Sequence, residues 1–189
     1  MPFFLKTIVS LVIGASLGLL ATWASVAFGV VGGVKDGPWH TSLSAGSSAG
    51  DPYTRASVAV HGLLALNRSE TIYYSATSDG DGHALQGNCR YEIRGRDPDA
   101  RWWSITAYAG DDFLIPNPAH RYSISKSSLQ HETDRSFVAT VSAQRALGNW
   151  IPLGNGAFSL SLRLYSPGPA VTGDPAHAAL PAITRLSCA

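Results

Sequence analysis

Gly46-Ser47-Ser48-Ala49-Gly50 has the G-x-S-x-G spacing of a nucleophile elbow, in which a serine on a sharp strand-to-helix turn attacks a carbonyl. That chemistry needs a parallel sheet beneath the turn and an Asp and a His brought alongside. Here the pentapeptide lies in a Ser/Gly-rich stretch with no strand–helix alternation after it, so it carries no catalytic expectation. Ser123-Ile124-Ser125-Lys126 has S-x-x-K spacing, which brings Ser and Lys together only at the start of a helix. On the alternating run RYSISK the two side chains point to opposite faces, and no SDN or KTG follows. The six histidines (His40, His61, His83, His120, His131 and His177) show no HxH or HExxH spacing. Asp79 and Asp81 flank glycines and read as turn formers, because a calcium loop needs more oxygen ligands at set positions. Asp111 and Asp112 diverge as neighbours. With no GxGxxG or P-loop either, no catalytic residue, metal site or cofactor is expected.

One surface does have a composition suited to recognition. In residues 101–117, RWWSITAYAGDDFLIPN, two tryptophans stand side by side in a strand-like run. Successive strand side chains point to opposite faces. Trp103, Ile105 and Ala107 therefore make an apolar face for the core. Trp102, Ser104, Thr106 and Tyr108 make a face of rings and hydroxyls. Rings stack and hydroxyls hydrogen-bond, so this face suits a glycan or an amphiphile; cover by a loop, the tail or the membrane surface is the other reading of Trp102. Arg163, outward on a later strand, is expected to pair with Glu92 or Asp112 or to bind an anionic ligand.

The elements that position this face follow from periodicity. Asp51-Pro52 caps and opens a short amphipathic helix running to about Leu66, with Ala56, Val60, Leu63 and Leu64 at helical spacing. From Thr71 the period becomes two: Ile72, Tyr74, Ala76; Cys89, Tyr91, Ile93; Phe137, Ala139, Val141; and Phe158, Leu160, Leu162, Leu164. Such alternation marks antiparallel strands with one buried face. Turn clusters at residues 79–82 and 154–156 separate them. The expected class is mainly β, an antiparallel β-sandwich of jelly-roll-like type carrying one short amphipathic helix. The Pro/Gly/Ala-rich tail after Pro167 is expected to wrap the surface without regular structure.

Ahead of this domain, residues 7–34 contain no ionisable side chain, long enough to cross a bilayer. Lys6 precedes the run, whereas Lys35 and Asp36 cancel after it. The positive-inside bias thus puts the N-terminus in the cytoplasm and the rest in the periplasm of a bacterial inner membrane. The alternative is a signal cleaved near Ala27, with the domain exported. The expected organisation is an anchor over 1–34, a Gly/Ser-rich tether over 35–50, and a periplasmic domain over 51–189. Gly14 and Gly18 have the spacing that lets membrane helices approach closely. Self-association through them is one reading, and the ordinary glycine content of membrane helices is the other. Cys89 and Cys188, the two cysteines, lie in the segment assigned to an oxidising compartment and are expected to form a disulfide.

An ordered set of blocks runs through the domain: Asp81-Gly82, Leu85-x-Gly87 and Tyr91; Trp103-Ser104-Ile105-Thr106-Ala107-Tyr108; Asn149-Trp150-Ile151-Pro152; Phe158 with Leu162-Arg163-Leu164-Tyr165; and Leu180-Pro181-x-Ile183. With these blocks the chain, over about residues 74–185, resembles the bacterial family called domain of unknown function 1214, in a short, membrane-anchored form. The resemblance implies a β-sandwich and supplies no catalytic residues. Within it, Asn149 to Pro152 is expected to form a loop locked against the sheet, with Trp150 buried and Asn149 bonding backbone groups.

Fourteen basic and thirteen acidic residues, with no basic stripe, argue against a nucleic-acid partner. The functional expectation is a membrane-anchored envelope protein whose sandwich binds a protein, glycan or lipid without catalysis. Two alternatives stand beside it. One is a small enzyme acting on an envelope carbohydrate or lipid through the Trp102/Ser104/Thr106/Tyr108 face. The other is an accessory subunit of a membrane complex held through the Gly-rich helix.

Overall fold

The computed structural model describes residues 3–27, 33–44, 46–47, 50–60 and 66–189. They form two compact units. The first holds α1 (Phe3–Ala27) and α2 (Pro52–Val60). α1 is predominantly apolar, carries Lys6 as its one ionisable side chain, and spans about 37 Å at 1.5 Å per residue, against about 30 Å of bilayer hydrocarbon. Its large apolar side chains, among them Leu11, Leu19 and Trp23, are exposed. α2 starts as its sequence dictates. Asp51 Oδ1 accepts from the Tyr53 and Thr54 amides at 2.8 and 3.2 Å, and Pro52 takes the first turn. The expected continuation through Leu63 and Leu64, Ser48 and Ala49 of the G-x-S-x-G stretch, and His61 lie outside the described residues.

The second unit is mainly β. Its six-stranded sheet contains β1 (Val34–Asp36), β2 (Trp39–Thr41), β3 (Thr71–Ala76), β5 (Ala100–Ala109), β6 (Ser123–Ser125) and β9 (Phe158–Pro167). Their order is β1-β2-β3-β9-β5-β6, with antiparallel pairing throughout. The four-stranded sheet orders β4 (Cys89–Arg96), β7 (Ser136–Ser142), β8 (Asn149–Pro152) and β10 (Ala182–Cys188) as β10-β4-β7-β8. The two sheets share one core. Trp103 of β5 stacks on Phe137 of β7 at 5.1 Å, and Tyr91 of β4 meets Phe158 of β9 edge-on at 5.6 Å. Leu160, Leu162 and Leu164 are fully buried in the core, while Arg163 and Tyr165 on the other face are half-buried and Ser161 on that face is covered, in keeping with the period of two that the sequence carries.

Four expectations about local structure are corrected. The anchor expected over 1–34, with its helix over about 7–34, contains α1 at Phe3–Ala27, whereas Val34 pairs with Thr41 in a sheet. The tether over 35–50 is in part a hairpin: Gly37, at φ 57°, turns β1 into β2, and His40 pairs with Ser75. Trp39 anchors that hairpin, fully buried, its indole N–H donating to the Pro181 carbonyl at 2.7 Å. One large ring supplies the apolar area that the surrounding Gly/Ser composition lacks.

The tail after Pro167 is also structured, as α3 (Pro169–Gly173), a single 3-10 turn (Pro175–His177) and β10. Val171 is fully buried, Tyr74 donates its hydroxyl to the Pro175 carbonyl at 2.9 Å, and Ile183 pairs with Ile93. Finally, Asn149 to Pro152 is a strand, not a loop, and it pairs parallel to β7, so the second sheet is mixed.

Gly87 of the Leu85-x-Gly87 block has a steric reason. Its amide donates to the Gly156 carbonyl at 2.7 Å, and a Cβ there would collide with the Gly154 carbonyl oxygen.

Candidate functional site on the six-stranded sheet

Register assembles the ring-and-hydroxyl face. β9 lies between β3 and β5, and directly opposed residues share a face. Tyr165 stands between Thr71 and Trp102, Arg163 between Tyr73 and Ser104, and Ser161 between Ser75 and Thr106. Tyr108 lies beyond, opposite Ser159. Arg163 occupies the middle of the face. Its guanidinium donates to Thr106 Oγ1 at 3.2 Å and to the Tyr108 hydroxyl, and its central carbon lies 5.4 Å from the Tyr108 ring centre. Neither expected acid reaches it: Glu92 pairs with Arg94 at 2.8 Å, and no carboxylate pairs with Arg163 among the described residues. A half-buried guanidinium held by neutral oxygens keeps its charge uncompensated, which favours an anionic visitor.

Trp102 is half-buried. Its indole N–H donates to Ser127 Oγ at 2.8 Å, and its ring lies 5.3 Å from that of Tyr165. Ser104 and Thr106 are each 6% exposed, so the hydroxyl row lies low between the rings and Arg163. The hairpin adds a residue that the sequence reading missed. His40, opposite Ser75, extends the same row, and burial and then Lys35 lower its pKa. No periodic signal marks His40, because β2 has three residues.

The residues assigned structural roles lie in the core and at the ends of the sheets. Trp103 is fully buried and donates its indole N–H to Asp97 Oδ1 at 3.1 Å. Asn149 Nδ2 donates to the Gln130 and Val138 carbonyls, and its Oδ1 accepts from the Gln130 amide. Trp150 is buried and donates to the Ser142 carbonyl at 3.0 Å; Pro152 is buried beside it. Cys89 and Cys188 are joined as a disulfide across β4 and β10.

Ligand atoms of Asp79, Asp81 and His83 lie within 4.8 Å of one another, but Asp79 already has partners. Its Oδ1 accepts from the amides of His83 at 2.9 Å and Asp81 at 3.1 Å, and Arg185 Nε stands 3.1 Å from Oδ2. Burial pushes this carboxyl up. The His83 amide, Arg185 and the Asp81 amide outweigh burial and leave it below its ordinary 3.8. A carboxyl depressed on folding stabilises above its unfolded value and loses that contribution as pH falls through the folded one, below about pH 4. Asp79→Asn is therefore expected to cost about 1–3 kcal/mol at pH 7 and markedly less at pH 3. Urea unfolding at both values checks this, and an equal cost at both contradicts it.

The family described as "Protein of unknown function (DUF1214)" matches residues 70–169, just over half of the chain, including β3, β4, β5, β7, β8 and β9. The chain belongs to this family. A crystal structure of the VPA0106 protein from Vibrio parahaemolyticus is similar to this DUF1214 chain at TM-score 0.61 and 22% identity, over 74% of this chain and 36% of that one. That similarity concerns the fold alone. A putative uncharacterized protein from Burkholderia cenocepacia is similar at TM-score 0.45 and 19% identity, over 64% of this chain and 30% of that one. This DUF1214 chain thus spans about a third of the length of each. No curated protein matches it.

Proposed function

We propose that this DUF1214 chain is a single-pass protein of the bacterial inner membrane. Its two sheets, read as a jelly-roll-like β-sandwich, stand in the periplasm as a non-catalytic binding module for a protein, glycan or lipid. Supporting the anchor are the length and apolarity of α1, with Lys6 near its start. The Cys89–Cys188 disulfide suits an oxidising compartment and fits cleavage near Ala27 equally. Open space around Gly14 and Gly18 leaves them free to pack against a second membrane helix.

The observation that carries the binding role is Arg163, a cation with no carboxylate partner among the described residues, at the centre of a face of rings and hydroxyls. Groups of that kind orient a ligand and do not shuttle protons near neutrality. His40, at the edge of the face, is the one observation favouring a small envelope enzyme. Affinity purification of the full chain from mild detergent, followed by mass spectrometry, tests the binding role. The expected result is a partner or lipid retained by wild type and lost, about tenfold, by Arg163→Gln and Trp102→Ala. Retention unchanged in both variants contradicts it.

A further inference from the structure

The outer face of the six-stranded sheet carries enough chemistry to narrow what it recognises. Opposed residues fall into four rows across the strands, and no Asp or Glu occurs in any of them. Arg163 stands in one row. Lys35, exposed and opposite His40, ends another. The face is therefore basic as well as polar. The cavity of about 530 Å³ at the far end of β4 shows the opposite arrangement. Arg96 and Arg135 line it with Asp97, whose Oδ1 lies 3.1 Å from His131 Nε2, and Asp134 reaches Arg96 at 3.5 Å. Charges there balance within the fold.

Two features mark the ends of the basic face. At one, the Trp102 and Tyr165 rings lie 5.3 Å apart, each partly in solvent. At the other, the Arg163 guanidinium is drawn along the sheet toward Thr106 Oγ1 and the Tyr108 hydroxyl. Trp102 and Thr106 stand four residues apart on β5, about 13 Å at the rise of a strand. Hydroxyls fill the interval. That of Thr106 serves Arg163, whereas those of Ser104 and Ser161 have no partner among the described residues, and both residues keep a little surface open. An acyl chain would need an apolar trough between the two ends, which hydroxyls do not supply. A run of sugars matches the interval, because apolar C–H faces lie on aromatic rings and hydroxyls meet hydroxyls. The separation is more than one sugar ring covers. Thr106 and Tyr108 take only part of the guanidinium's donors, and those left over suit a carboxylate.

We infer that this face, in the binding role proposed above and resting on it, holds an acidic oligosaccharide of at least two linked sugars. One sugar ring lies on Trp102 and Tyr165, and a uronic carboxylate further along the ligand meets Arg163. Ser104 and Ser161 contact the sugar hydroxyls between them.

The test is calorimetric titration of the full chain, in a detergent without a sugar headgroup, at fixed ionic strength. The probes are tetramers of galacturonic acid, of mannuronic acid, and of alternating glucuronic acid and N-acetylglucosamine. Each is run beside its methyl ester and its free uronic acid. Saturable binding of at least one acidic tetramer is expected, at least tenfold tighter than its methyl ester or its monomer. Arg163→Gln and Trp102→Ala are each expected to weaken it at least tenfold with circular dichroism unchanged, while Arg135→Gln, at the balanced cavity, leaves it intact. If Arg163→Gln misfolds, Trp102→Ala and the methyl-ester comparison carry the test. No saturable binding of any acidic tetramer, equal binding of its methyl ester, or unchanged affinity in the folded variants overturns the inference. The binding role is read separately. A protein or lipid retained through Arg163 in the detergent purification, with no acidic tetramer bound, removes the oligosaccharide and leaves that role standing; loss of both removes both.

Discussion

Trp103→Ala is expected to lower folding stability by about 3–5 kcal/mol, whereas Trp102→Ala, one residue away, costs about 1 kcal/mol or less. The difference follows from which way each ring points. Trp103 is fully buried, stacks on Phe137 across the two sheets, and satisfies Asp97. Truncation removes the stacked ring, leaves a cavity in a close-packed core and takes a donor from Asp97. Trp102 touches Tyr165 and Ser127 on the outer face, where water can take over its contacts. A loss of 3–5 kcal/mol is a large share of the roughly 5–15 kcal/mol typical of a domain. Urea unfolding of both variants, followed by near-ultraviolet circular dichroism, measures the two losses. Equal losses contradict the assignment of faces.

Cys188→Ser is expected to lower stability by about 2–5 kcal/mol, and the double variant with Cys89→Ser to lose no more. The bridged residues are 99 apart in sequence, so the disulfide closes the stretch from β4 to β10 into one loop in the unfolded chain, with β1, β2 and β3 outside it. It also secures an edge. β10 is the outer strand of its sheet, and five of its seven residues lie partly or well in solvent or at the surface beyond Ile183. Arg185, which pairs with buried Asp79, is carried on that strand, and just past its end the Ala189 amide donates to the Asn88 carbonyl while the Asn88 side-chain amide donates to the Ala189 carbonyl. Loss of the bridge is therefore expected to raise amide exchange first along β10 and only later in β9. A reductant that leaves the urea midpoint unmoved contradicts this.

Alternation made the inner strands legible. In AFSLSLRLY every second residue is large and apolar, and those residues are the ones the core takes. The same reasoning separated Trp102 from Trp103 and placed Ser104, Thr106, Tyr108 and Arg163 on one side. The Asp51-Pro52 start of α2 is local chemistry and equally readable. Three-residue strands are too short to show a period, so β1 and β2 hid within a Gly/Ser-rich stretch, and His40 with them. β10 was obscured because only Ile183 among its residues is fully committed to the core. The parallel β7–β8 pairing is a tertiary outcome that periodicity does not encode. Asp97 and His131 are 34 residues apart and meet only because β4 and β7 pair, so no spacing in the chain announces them.

The account rests on the two-sheet domain standing across the membrane from Lys6. An alkaline phosphatase reporter, active only outside the cytoplasm, fused after Ala189 in the full chain tests this most directly. The predicted result is high phosphatase activity that co-sediments with membranes. A silent reporter, with a cytosolic reporter active at the same position, would contradict it.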